Sequence, residues 1–183
     1  MTKSTREKKM TNADWLEKMA ALSKPLTIDQ IEFRVGATIN SGQVLLAYKT
    51  ARVDMDRLDA CVGQFGWQRK HELIDGDLYC HVGVYDGKQW VWKSDVGTES
   101  RTEKEKGRAS DSFKRACVNW GIGRELYEMP NIVIEEKTKI YPQYWHWEAW
   151  YHKETKRINA LKAVDDYGKT KYEAKWDDNN RRI

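Results

Sequence analysis

The stretch from Lys93 to Tyr127, KSDVGTESRTEKEKGRASDSFKRACVNWGIGRELY, decides how this chain is read. Val91–Val96 closes a strand and Gly97 breaks it. Thr102 followed by Glu105 is a capping-box pattern, and Ser100 with Glu103 is a second candidate. The spacing then predicts a helix to about Trp120, with Gly121 just past its end, where a left-handed residue is usual. Ala109, Phe113, Ala116, Cys117 and Trp120 recur at helical spacing and form one apolar face. Arg101, Lys104, Arg108 and Arg115 recur on the opposite side with Asp111 among them, and Lys114 falls at the flank. Arg101, Lys104, Lys106, Arg108, Lys114 and Arg115 outnumber Glu103, Glu105 and Asp111, a local excess of three positive charges. Such a face is either solvated and neutralised by intrahelical ion pairs or a cationic ridge for a phosphate backbone.

Upstream lies the clearest sheet signal. Trp67–Ile74, Leu78–Tyr85 and Gln89–Val96 read as three strands, joined by the hairpin dipeptides Asp75-Gly76 and Asp86-Gly87. In the middle strand Leu78, Cys80, Val82 and Val84 share one face, while Tyr79, His81 and Tyr85 share the other. One face can pack on the Phe113 side of the helix, giving an antiparallel β-β-β-α core of an α+β fold.

The order of residues resembles the annealing core of the Rad-fifty-two/Sak family of single-strand annealing proteins, especially its short phage-type members. The matching residues are Asp95-Val96-Gly97, Glu99-Ser100, Lys106-Gly107, Ala109-Ser110-Asp111, Lys114-Arg115-Ala116 and Trp120-Gly121-Ile122-Gly123. A weaker match runs through Arg52-Val53 and Phe65-Gly66-Trp67, so the resemblance covers about residues 25–130. It implies a β-β-β-α core, single-stranded DNA as ligand, and a homo-oligomeric ring or helical filament. It also implies phosphate contacts from Lys114, Arg115 and Arg52, followed by Lys106, Lys104 and Arg108. The larger eukaryotic members carry a further basic residue where this chain has Val118, so the groove is weaker here or uses Arg124 instead. They also have a long C-terminal half that this chain is expected to lack, together with the partners it recruits. A host or phage single-strand-binding protein is a candidate partner.

The 183 residues favour one domain with its own core. Residues 1–11 read as a disordered basic N-terminus, 12–176 as a single annealing and oligomerisation domain, and 177–183 as a polar tail. With 40% hydrophobic and 33% charged residues the composition is that of a soluble globular protein, and no apolar run approaches a membrane span. Cys61, Cys80 and Cys117, odd in number and widely spaced, point to free thiols in a reducing cytoplasm. With the four histidines they give no metal site. A net charge of +4 and pI near 8.8 permit nucleic-acid binding without demanding it.

The remaining elements are shorter. Asp14–Leu22 reads as a helix capped by Asn12, and Phe33, Val35 and Ala37 alternate as in a strand. Val44–Tyr48 is a second short strand after the Ser41-Gly42 turn, and Arg52–Val62 is a helix. Lys137–Trp150 is dense in rings and, with Ile158–Val164 and Lys171–Trp176, points to two or three further strands turning at Tyr167-Gly168. Those rings pack against the domain or a neighbouring subunit, or stack on bases.

No GxxxxGK[ST] loop is present, which argues against an ATP-driven recombinase. His146-Trp147-Glu148 matches H-x-E but no P-C-x-x-C follows, which argues against a zinc deaminase, and Glu135-Glu136-Lys137 is an isolated match in a charged segment. No nucleophile–base spacing stands out. The expectation is therefore a binding protein without catalytic residues or cofactors. It would anneal single strands in recombination and repair, with a DNA-end-protecting protein of the same fold as the alternative.

Overall fold

A computed structural model of the chain describes residues 11–97 and 104–183. The elements in chain order are α1 (Asn12–Leu22), β1 (Glu32–Ile39), β2 (Gly42–Tyr48), α2 (Ala51–Val62), β3 (Trp67–Ile74), β4 (Asp77–Tyr85), β5 (Trp90–Val96), α3 (Lys104–Asn119), β6 (Ile132–Ile134), β7 (His146–Tyr151), β8 (Ile158–Val164) and β9 (Thr170–Lys175). They build a mixed α+β fold with three small antiparallel sheets, ordered β1-β2-β6, β3-β4-β5 and β7-β8-β9. Two compact units result: one takes the residues up to Lys24 with Ala51–Ile122, the other Pro25–Thr50 with Gly123–Ile183.

In the first unit α3 lies across one face of β3–β5. Cys80, Val82 and Val84 of β4 meet Phe113, Ala116 and Cys117 of α3, and all six are fully buried. The turn between β3 and β4 holds Asp75 at φ 51° and Gly76 at φ 88°, the pair of left-handed residues a two-residue hairpin needs. Trp67 stacks on Phe113 with centroids 6.0 Å apart and donates its indole N–H to Asp59 of α2 at 2.6 Å. Trp120 ends the helix buried, donating to the Val82 carbonyl at 3.1 Å.

Gly97 does more than end β5. A Cβ there would stand 2.2 Å from the Arg108 carbonyl oxygen and 2.8 Å from the Ser112 nitrogen, so the missing side chain is what lets α3 close on the strand end. Gly121, at φ 98°, turns the chain out of the helix against Ser23. The capping boxes expected at Thr102/Glu105 and Ser100/Glu103 involve residues outside the described set.

The cap of α1 is Thr11 rather than Asn12. Its hydroxyl accepts the Asp14 N–H at 3.1 Å, and the Asp14 carboxylate accepts the Thr11 N–H at 2.9 Å. At the other end Arg57 donates to the carbonyls of Ala21 and Leu22 in the last turn, and to that of Lys24 just beyond it.

In the second unit β2 pairs with β1 on one side and with β6, some ninety residues on, at the other (Gln43↔Ile134). Phe33 and Trp147 stack at 3.8 Å and 13°, and Trp147 also donates to the Pro142 carbonyl at 3.0 Å. Leu26, Ile132, Leu161 and Ala163 fill the rest of this core.

Candidate nucleic-acid interface

Helix α3 carries the candidate site. Its sequence alternates fully buried pairs, Ser112–Phe113 and Ala116–Cys117, with Lys114–Arg115 between them. Lys114 and Arg115 therefore leave the helix at the flanks of the buried face, and each is half-buried. α2 packs on α3, and Arg52, exposed in the first turn of α2, belongs to the same unit. Lys104 and Lys106 begin α3, but their side chains lie outside the described residues.

Arg115 is held. Its Nε lies 3.2 Å from Asp95 Oδ1 on β5, with the two side chains 36% and 25% exposed. Asn119 Nδ2 donates to the Ser94 carbonyl at 3.0 Å and reaches Asp95 Oδ2 at 3.5 Å. The pair thus joins the helix flank to the sheet edge. At this exposure it contributes about 0–1 kcal/mol.

Arg108 differs from the sequence expectation of an outward ridge. Its side chain is only 19% exposed, and Nη2 donates to the Gly76 carbonyl in the β3–β4 turn at 2.7 Å, with Asp77 at 3.9 Å. A long side chain one turn before the buried Ser112 reaches the hairpin tip, and the orphan turn carbonyl there accepts a charged donor.

Two further cations sit along the same seam and were missed in the sequence. Arg69 of β3 lies 4.5 Å over the Phe113 ring. Lys93 of β5 lies 4.5 Å from the Trp120 centroid and donates to the Asn119 carbonyl at the helix end at 2.7 Å. The signal that could have found them is strand alternation: Arg69 and Lys93 both pair with the buried Val82, and all three occupy the helix-covered face. His71 adds a ring nitrogen 3.1 Å from the Ala109 carbonyl. Arg69, Lys93, Arg108 and Arg115 thus fasten the helix to the sheet and its hairpin. Val118 is half-buried, and Arg124 is exposed at the start of a 3-10 turn in the second unit.

Burial pushes the Cys80 thiol up to about 11 and raises Cys61 as well. Among the described residues no cluster of His, Cys, Asp or Glu is arranged to hold a metal ion, and no helix is long and apolar enough to cross a membrane.

The family described as "Rad52/22 family double-strand break repair protein" matches residues 16–145, a span that contains α2, the whole middle sheet and α3. The single-stranded DNA-binding protein DdrA of Deinococcus radiodurans is 37% identical over 92 residues, covering 48% of this chain and 42% of that protein. DdrA of Deinococcus deserti is 36% identical over 92 residues, covering 49% and 45%. The match therefore spans less than half the length of these curated relatives.

Proposed function

The chain belongs to the Rad52/22 family, and from that premise we propose that it is an ATP-independent single-stranded DNA-binding and strand-annealing protein of recombination and repair. The observation that carries this reading is the matched span itself, which runs through α3 and includes Lys114 and Arg115 at the flank of a helix clamped to a sheet. Two complementary strands repel as polyanions, and each folds on itself. A row of cations that takes up phosphates displaces the counterions and draws a strand out without reading its sequence. A second strand then tests pairing along the displayed bases, and pairing drives the reaction.

Lys114, Arg115 and Arg52 are the proposed phosphate contacts, with Lys106, Lys104 and Arg108 behind them. Arg108 and Arg115 also hold the fold. One domain spans few nucleotides, and repeated copies in a ring or helical filament would supply avidity. A phage or prophage origin and a cytoplasmic site of action complete the reading.

The test is annealing of two complementary strands without nucleotide or metal, for the wild type and a Lys114→Ala/Arg115→Ala variant. The wild type is expected to anneal and the variant to bind DNA more weakly. The salt dependence of its binding should flatten by about one unit of slope per lost contact. Equal annealing by both moves the site away from α3. Binding without annealing is the second reading, favoured by relatives whose names state single-stranded DNA binding alone. It is the outcome in which the wild type binds a strand but does not speed pairing.

A further inference from the structure

Only one face of the sheet β3–β5 lies under α3. On the other face Tyr85, Trp90 and Trp92 form a continuous row, with centroids 5.5 Å apart for Tyr85–Trp90 and 6.2 Å for Trp90–Trp92. Each ring keeps 37–41% of its surface in water. The strand register explains the row. Tyr85 pairs with Trp90 and Gly83 with Trp92, on the face opposite the buried Val82 and Val84. Trp92 lies flat on the sheet, because a Cβ on Gly83 would meet three atoms of its six-membered ring at 2.9 Å. A glycine inside a strand weakens it, and here it makes room for a ring whose other side faces outward.

Cations flank the row. Lys70 Nζ stands 5.6 Å from the Trp92 centroid, and Lys88 is exposed in the turn between β4 and β5. Two carboxylates lie nearby: Asp86 accepts the N–H groups of Lys88 and Gln89, and Glu72 lies 3.3 Å from His81 Nε2. Clustered exposed rings mark a binding surface, and rings beside lysines match the two parts of a nucleotide, the base π-face and the phosphate. The ring spacing exceeds the ~3.4 Å base rise of a duplex strand, so one base per ring requires a strand drawn out from duplex geometry.

We infer that this face stacks the bases of single-stranded DNA, with Tyr85, Trp90 and Trp92 as the platform and Lys70 and Lys88 toward phosphates, as a contact surface separate from α3. The inference rests on the single-strand binding proposed above.

Its test is the binding of a labelled oligothymidylate to the full chain across a salt series, comparing the wild type with a Tyr85→Leu/Trp90→Leu variant. Trp92 stays in place so that Gly83 remains covered. Stacking releases no counterions. The variant should therefore lose about tenfold or more in affinity at every salt concentration, with an unchanged slope of log K on log salt. A Tyr85→Phe/Trp90→Phe variant should retain most of the affinity. A strand of abasic sites should bind the wild type and the leucine variant equally.

If the leucine variant binds as the wild type does while Lys114→Ala binds more weakly, the stacking surface is overturned and the α3 reading stands. If the wild type binds no single strand, both fall. A smaller oligomer by light scattering with unchanged DNA affinity would make this face a contact between copies of the chain and overturn the inference. Should the leucine variant melt early, the wild type decides alone: equal affinity for abasic and base-bearing strands at high salt overturns it.

Discussion

The two faces of the sheet β3–β5 are built from the same strands and end in opposite states. Under α3, Cys80, Val82 and Val84 are sealed against Phe113. Arg69, Lys93, Arg108 and Arg115 are drawn into contacts with the helix, its end carbonyls or the hairpin beside it. On the open face three aromatic rings stay partly in water, and Lys70 stands beside the outermost of them. Charge near α3 serves the fold as well as any ligand, whereas the rings of the open face lie against each other, Gly83 and Lys70 and stay partly in water.

Truncation of a ring on each face is the severest test of that difference. Phe113→Ala should destabilise the chain by about 3–5 kcal/mol, because the ring is fully buried and a cavity remains. Trp90→Ala should cost clearly less, since more than a third of that residue already lies in water. Thermal melts of the two variants check this. Equal losses would show that the open face is packed as tightly as the covered one.

The glycines of the two faces give a second contrast. Gly97→Ala places a methyl against helix backbone at 2.2 Å, which cannot move without shifting α3, and about 1–3 kcal/mol of destabilisation is expected. Gly83→Ala first meets the Trp92 ring, at 2.9 Å, and a side chain can swing away. Its stability should fall by less, with the change seen in the near-ultraviolet circular dichroism of the displaced indole.

Much of this architecture was legible in the sequence, and the reasons are local. The Asp75-Gly76 turn and the alternation in β4 set the hairpin and its buried face, and the helical spacing of Phe113, Ala116 and Cys117 set what α3 covers. Trp147, one of the rings of the C-terminal segment, is taken up by packing on Phe33 within its own unit. What escaped depends on residues far apart in the chain. Asp95 and Arg115 are twenty positions apart, β2 and β6 about ninety, and the role of Gly97 exists only once a helix closes on it. Alternation assigned Tyr85 to the face away from the core, but no local pattern says whether a face will be covered. The rings of β5 carry no local mark of their exposure, whereas the helix cations are marked by their spacing.

Alkaline titration separates the covered face from its surroundings. The Cys80 thiol, pushed from 9.0 to about 11 by burial, stays protonated in the folded chain while an unfolded thiol ionises. Its folded value is raised, so the stability it contributes is complete below pH 9 and is lost as pH rises toward 11. Tyr48 and Tyr151 of the other unit, each raised to about 12 chiefly by burial, act in the same direction at higher pH. Chemical denaturation between pH 8 and 11 should show falling stability, and Cys80→Ala should flatten the first part of that slope.

The smallest effect concerns the rim where the two functions of charge meet. Asp95 holds Arg115 at 3.2 Å in a pair that is partly exposed. Asp95→Asn should therefore cost no more than about 1 kcal/mol of stability. The same change removes a negative charge beside a proposed phosphate contact, so single-strand affinity at low salt should rise while stability falls. A cycle with Arg115→Ala isolates the cause. If Asp95→Asn tightens binding only when Arg115 is present, the carboxylate competes with phosphate for that guanidinium. If the gain is the same without Arg115, the carboxylate acts through the general field of the surface, and Arg115 makes no phosphate contact of its own.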